Sequence, residues 1–251
     1  MAIIIGKLTS QGSGGDNIFK SGPYTVHEFS TTNNFTPTAT GRVDVLAIGG
    51  GGSGGPGSSS QPGSGGGGGA VLVSKFNPVV SGSPYTMTVG TVNGNTVANW
   101  NGGSLTAPAG AQGLTGSTGT NVGNDAPLAS GSGGTGWNVS NGGVGANIAG
   151  QGFPGFQDAY PGASSDSAGG GGAGSGGPVA TASKTGGSGT PIAYFTGIST
   201  HTNASAGGPG KNGDQTPRPG IQYGNGGGAH PPGSDEGTQP SQPGAIFIRY
   251  I

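Results

Sequence analysis

The sequence predicts an all-β protein: a small antiparallel, sandwich-like β frame with a bundle of polyglycine-II helices inserted into it, and essentially no α-helix. Three observations lead there. Of 251 residues, 63 are Gly and 19 are Pro. Gly loses the most backbone entropy on ordering and Pro interrupts the helical hydrogen-bond ladder, so long helices are excluded. Ile, Leu, Val and Phe together number 40, about 16% of the chain and short of an ordinary side-chain core. Yet only 7% of residues are charged and the net charge is −1, so the chain lacks the self-repulsion that keeps unfolded chains open.

The strands follow in order. Tyr24 to Phe29 alternates with period two, placing Tyr24, Val26 and Glu28 on one face and Thr25, His27 and Phe29 on the other. A second strand begins at Asn33 to Thr36, beyond a polar turn. Val43 to Ile48 is the most β-branched run and reads as buried. Val71 to Phe76 follows a glycine run, and Tyr85 to Gly90 follows the turn signal Ser81-Gly82-Ser83-Pro84. The last strand, Ala245 to Ile251, is expected to pair with strands far back in the sequence. Lone Met87 and Trp100 read as core residues.

Glycine blocks punctuate the chain, from Gly49 to Gly55 and Gly63 to Gly69 onward to Gly224 to Gly228, with no fixed period. Collagen, with Gly strictly at every third position, is thereby excluded. Flexible linker is the plain reading of such tracts. Against it, strands that must meet would then bracket about 150 residues without structure, which compact domains rarely carry. Extended three-residue-per-turn Gly helices instead point their N–H and C=O groups outward, and without Cβ atoms neighbouring chains approach closely enough to satisfy them. The organisation expected is residues 1–90 for the frame strands and first glycine blocks, 91–243 for the glycine bundle with exposed loops, and 244–251 for the closing strand, all in one compact domain.

Several functions are disfavoured. The eight cations are scattered singly, so no basic stripe for nucleic acid exists. With no Cys there is neither disulfide nor thiolate metal site. The longest strictly apolar runs, such as Ala2 to Ile5, are far short of the roughly 20 residues of a bilayer span, and the N-terminus lacks a secretory signal. A soluble protein made in a reducing cytoplasm is expected. Gly51-Gly52-Ser53-Gly54-Gly55 formally matches a hydrolase nucleophile elbow, but the Gly54-Gly55-Pro56-Gly57 that follows cannot be the required helix. G-x-G-x-x-G matches are expected by chance at this glycine content. His27, His201 and His230 lack metal-ligand spacing, and His27 reads as half-buried and structural. The adjacent Asp235 and Glu236 could contribute to a Ca²⁺ site. No cofactor, no metal and no enzymatic activity are expected.

The aromatic residues between the glycine blocks carry the functional expectation: Trp137, Phe153, Phe156, Tyr160, Tyr194, Phe195 and Tyr223. A glycine bundle offers few pockets to bury them, and rings on loops supply contact area at low entropic cost. They either contact a receptor, or pack over the ends of the bundle or seal contacts between subunits.

The succession Tyr24 to Phe29, Asn34-Phe35-Thr36, Val43 to Ile48 running into Gly49 to Gly55, Gly65 to Gly69 leading into Ala70 to Val73, the Tyr85 to Gly90 strand and the closing Gly244 to Tyr250 resembles the glycine-rich domain of bacteriophage tail fibre and minor tail proteins. The wider group includes fibre-tip adhesins in which packed polyglycine-II helices carry loops that bind the host surface. The resemblance implies a virion protein assembled in the host cytoplasm, displaying loops to a bacterial surface glycan or outer-membrane protein. Its partners would be other virion proteins and other copies of itself. The alternative is a purely structural virion subunit, such as a decoration or connector part.

Overall fold

The computed structural model describes residues 12–57, 63–115, 129–130, 153, 186–201, 204–208, 223–228 and 240–250. Its strands are β1 (Gly12–Ser13), β2 (Asn17–Ser21), β3 (Tyr24–Phe29), β4 (Asn33–Pro37), β5 (Gly41–Ile48), β6 (Val71–Val79), β7 (Tyr85–Thr88), β8 (Thr96–Trp100), β9 (Gly103–Ala107) and β10 (Ala245–Tyr250). The one helix among the described residues, α1, is the single turn Ala193–Thr196, ended by Gly197 in the left-handed conformation. The fold is all-β.

Two five-stranded antiparallel sheets form, in the orders β1-β4-β7-β8-β9 and β2-β3-β10-β5-β6. The C-terminal strand β10 lies between β3 and β5, with Ile248 opposite both His27 and Val45. Closing the chain into the middle of a sheet makes both faces of that strand interior. Its sequence therefore reads as continuous apolar residues: Ile246, Ile248 and Tyr250 join one core cluster, and Ala245 and Phe247 the other.

The first cluster fills the space between the sheets with Phe29, Phe35, Val43, Val45, Met87, Ala98, Ile246 and Ile248. Met87 is 1% exposed, and Trp100 packs against the cluster from its edge, as expected of core residues. The second lies on the outer face of the second sheet, where Val26, Leu46, Ile48, Val71 and Phe247 meet Ile192, Phe195 and Ala204 from the glycine-rich part of the chain.

Three features differ from the sequence expectation. The hairpin β8–β9 extends the frame beyond residue 90; Thr96 and Ala98 are small enough to be buried in a strand with no apolar run. Edge strand β2 is mostly exposed and its two apolar residues, Ile18 and Phe19, are adjacent, so alternation gave no signal. His27 is completely buried rather than half-buried.

Candidate functional site

Past the end of β5 the packing changes material. Gly49 to Gly52, Gly55 and all of residues 63–70 are buried, yet few side chains surround them. Gly52 N–H donates to Gly67 C=O, Gly67 N–H to Ala111 C=O, Ala111 N–H to Ser130 C=O and Ser130 N–H back to Gly68 C=O. Gly66 N–H donates to Gly227 C=O and Gly227 N–H to Gly52 C=O, while Gly208 N–H reaches Gly66 C=O. The segment around Gly66 to Gly69 thus bonds to five other segments. A strand in a sheet has two hydrogen-bonding neighbours, so this is a three-dimensional stack of backbones.

The spacing explains the composition. A Cβ built on Gly52 would lie 1.9 Å from the Ala111 carbonyl oxygen, one on Gly51 1.9 Å from that of Asn225, and one on Gly110 2.0 Å from that of Gly67. None of these three has a left-handed φ. Space, not backbone dihedral, demands Gly there. The few polar side chains inside serve the backbone: Asn225 Oδ1 accepts the Ala206 N–H at 2.7 Å, and Ser64 Oγ accepts that of Leu114 at 2.8 Å.

Of the seven ring candidates, Trp137, Phe156 and Tyr160 lie outside the described residues. Phe153 is partly buried. Phe195 is 1% exposed and sits in the outer core cluster beside Ile192 and Phe247, so its ring is unavailable to a partner; the outer face of the second sheet provides the pocket that a glycine bundle alone would lack. Tyr223 is also partly buried, edge-on to Phe247, and its hydroxyl donates to Glu28 Oε1 at 2.7 Å. Burial raises the Tyr223 pKa, and the Glu28 carboxylate raises it further. Among the described candidates only Tyr194 stands out, 63% exposed, next to the buried Phe195 on α1.

Tyr194 borders an arrangement that sequence reasoning missed. Where β5 meets β6, Val43 pairs with Asn77 but Val45 with Ser74, so Asp44 faces two residues, Lys75 and Phe76. This β-bulge reverses the alternation: Asn77 and Val79 turn inward and Phe76 is thrown outward, 66% exposed, at a φ of 59°. Phe76 N–H donates to Asp44 Oδ1 at 3.0 Å, and Arg42 Nη1 donates to Phe76 C=O at 3.4 Å.

Asp44 Oδ2 also accepts from Arg249 Nε and Nη2 at 3.2 and 3.1 Å. The Arg249 guanidinium lies 4.7 Å from the ring centre of Tyr24 and 4.3 Å from that of Phe195, and its Nη1 reaches the carbonyls of Tyr194 and Phe195. Burial raises the Tyr194 pKa, partly offset by the Arg249 charge. Together Tyr24, Arg42, Asp44, Lys75, Phe76, Arg249 and Tyr250 line a concavity of about 410 Å³. It lies at the opposite end of the second sheet from the glycine stack, since β5 enters at Gly41 and leaves into Gly49. The only sequence signal for it was Asn77-Pro78, a poor pair for a regular strand interior and a pointer to an irregular edge.

Other chemistry-bearing residues have structural partners. His27 Nε2 is 2.8 Å from the Tyr250 hydroxyl, and Nδ1 faces Gly14 C=O. Burial lowers the His27 pKa, opposed by the Gly14 bond. In the neutral ring Nδ1–H donates to Gly14 and Nε2 accepts from Tyr250. Asp16, exposed, accepts four hydrogen bonds from Ser30 and Thr31, which outweigh its desolvation and lower its pKa. Ser53 Oγ accepts from Asn93 Nδ2 at 3.4 Å. His230, Asp235 and Glu236 lie outside the described residues. Among the described residues no three His, Asp or Glu gather as metal ligands, and no helix is long and apolar enough to cross a membrane.

The profile of a glycine-rich domain family matches residues 28–251, from the end of β3 to the end of the chain. The chain belongs to this glycine-rich domain family. The match takes in β4 to β10 and the glycine stack and leaves out β1, β2 and most of β3, so parts of both packing materials fall within the family unit. No curated protein matches the chain.

Proposed function

We propose that this glycine-rich domain is a non-enzymatic part of a phage tail or tail fibre, in which a polyglycine-II bundle holds connecting loops toward a bacterial surface receptor, a glycan or an outer-membrane protein. The observation that supports the reading is the stack in which the backbone around Gly66 to Gly69 bonds to five other segments. Hydrogen bonding in several directions from one extended chain is what three-residue-per-turn glycine helices permit and sheets do not. Loops springing from such a stack start from fixed ends, which lowers the entropic cost of binding. Trp137 and Tyr160 are the ring residues to test, with Tyr194 as the exposed ring among the described candidates.

The alternative, a purely structural virion subunit, draws support from edge strand β2, which exposes Ile18 at 47% beside unpaired backbone. Binding of the purified protein to host cells separates the readings. Saturable binding lost in Trp137→Ala or Tyr160→Ala is the expected result. Variants that still adsorb but no longer assemble into particles would establish the structural subunit instead.

A further inference from the structure

We propose that the concavity between Phe76 and Arg249 is a second binding site, on the β frame rather than on the loops, and that it takes an acidic saccharide. The first argument is the state of Phe76. An aromatic residue at a φ of 59° is strained, and here it leaves its ring 66% exposed, so the strain is not offset by burying the ring. Asn or Gly would hold the same bulge at lower cost. Strained residues kept in this way mark functional positions. The backbone on both sides is pinned, by Asp44 at its N–H and Arg42 at its C=O. A ring presented from a fixed backbone loses little entropy on binding.

The second argument is charge. Among the described residues, Arg42, Lys75 and Arg249 share the concavity with one carboxylate, Asp44, in a chain whose net charge is −1. Arg249 and Asp44 neutralise each other, Nε and Nη2 both donating to Asp44 Oδ2. Among the described residues Arg42 and Lys75 form no ion pair, so two positive charges flank one exposed ring. The ligand that fits has an apolar face for the ring and an anionic group for the cations. A sugar bearing a carboxylate has both. The volume, about 410 Å³, lies within the roughly 300–1,000 Å³ of small-ligand sites. Arg249, held between Tyr24 and Phe195 and against two carbonyls, is a positioning residue that fixes Asp44 and through it Phe76.

The test titrates the full chain with trigalacturonate, neutral galactotriose and inorganic phosphate, followed by calorimetry and tyrosine fluorescence. Saturable binding of trigalacturonate is expected, weakened by salt and at least about tenfold tighter than galactotriose. Phe76→Asn keeps the left-handed position and removes the ring; it should leave the melting temperature unchanged or raised and weaken trigalacturonate about tenfold. The double variant Arg42→Ala with Lys75→Ala should abolish the preference for the acidic sugar. Equal binding of the neutral sugar, or binding indifferent to Phe76→Asn, overturns the proposal. So does phosphate competing fully, which marks a cation site without sugar recognition. Self-association lost in Phe76→Asn, with no trigalacturonate bound, would assign the ring to a subunit contact instead. Trp137→Ala and Tyr160→Ala, the loop variants, should leave this titration unchanged, so the two sites stand or fall separately.

Discussion

The sandwich core and the glycine stack are both buried, and they fill space in opposite ways. Between the sheets, Phe29, Phe35, Met87, Ile246 and Ile248 interdigitate, and the backbone is held at the distance that side chains require. In the stack, Gly52 and Ala111 pass so closely that a single methyl group would collide with a carbonyl. Cohesion there comes from hydrogen bonds between chains distant in sequence. The hydrophobic part tolerates adjustment of shape, since rings and aliphatics can repack. The stack has few side chains to move, so an error there must be absorbed largely by backbone that is already hydrogen-bonded.

That contrast can be broken experimentally. The largest effect is expected at Phe29, completely buried between the sheets: Phe29→Ala should cost about 3–5 kcal/mol by lost burial and cavity formation, read by chemical denaturation. Next comes Gly52→Ala. The added Cβ would lie 1.9 Å from the Ala111 oxygen, which also accepts the Gly67 N–H, so overpacking and a disturbed bond together should cost about 3 kcal/mol. A cost below that of Gly82→Ala would refute the space argument.

Gly82 is the matched control. It sits in the turn before β7 at a φ of 74° with nothing within 4 Å of an added Cβ, so Gly82→Ala should cost about 1–2 kcal/mol through backbone strain alone. Gly41, open on all sides and without a left-handed φ, should accept Ala at no cost.

A further small effect is one of pH. Burial holds the pKa of His27 below the ordinary histidine value of about 6.5, so well above pH 6.5 the ring is neutral in both folded and unfolded chains. As pH falls below 6.5 the unfolded chain takes up the proton first, and stability declines toward the lower folded pKa. Lowered by burial against the opposing Glu28 charge, His201 acts with the same sign. Denaturant midpoints at pH 7.5 and 6 should decrease in the wild type and decrease less in His27→Gln. An unchanged slope in the variant would remove His27 from the account.

The frame was largely legible because its signal is local. Period-two alternation marks β3, β-branched density marks β5, and the apolar terminal run marks β10; all three lie where the sequence reading put them. β8 was missed because Thr96 and Ala98 reach the interior through small side chains. Phe195 misled because its burial depends on the outer face of the second sheet, assembled from Val26, Leu46 and Phe247 far away in sequence. The concavity was illegible for a related reason. Plain alternation along Val71 to Phe76 would put Phe76 on the side of Leu72, and only the register shift opposite Asp44 turns it outward.

Composition by itself determined that long helices are excluded, because the costs that Gly and Pro impose on a helix are paid residue by residue. The alternating runs determined most of the strands, because strand periodicity is written in consecutive side chains. Tertiary structure alone decided which glycines are indispensable. A glycine has no side chain to announce its neighbours, and the carbonyl of Ala111 that forbids a methyl group on Gly52 comes from a segment about 60 residues away, brought there by the fold.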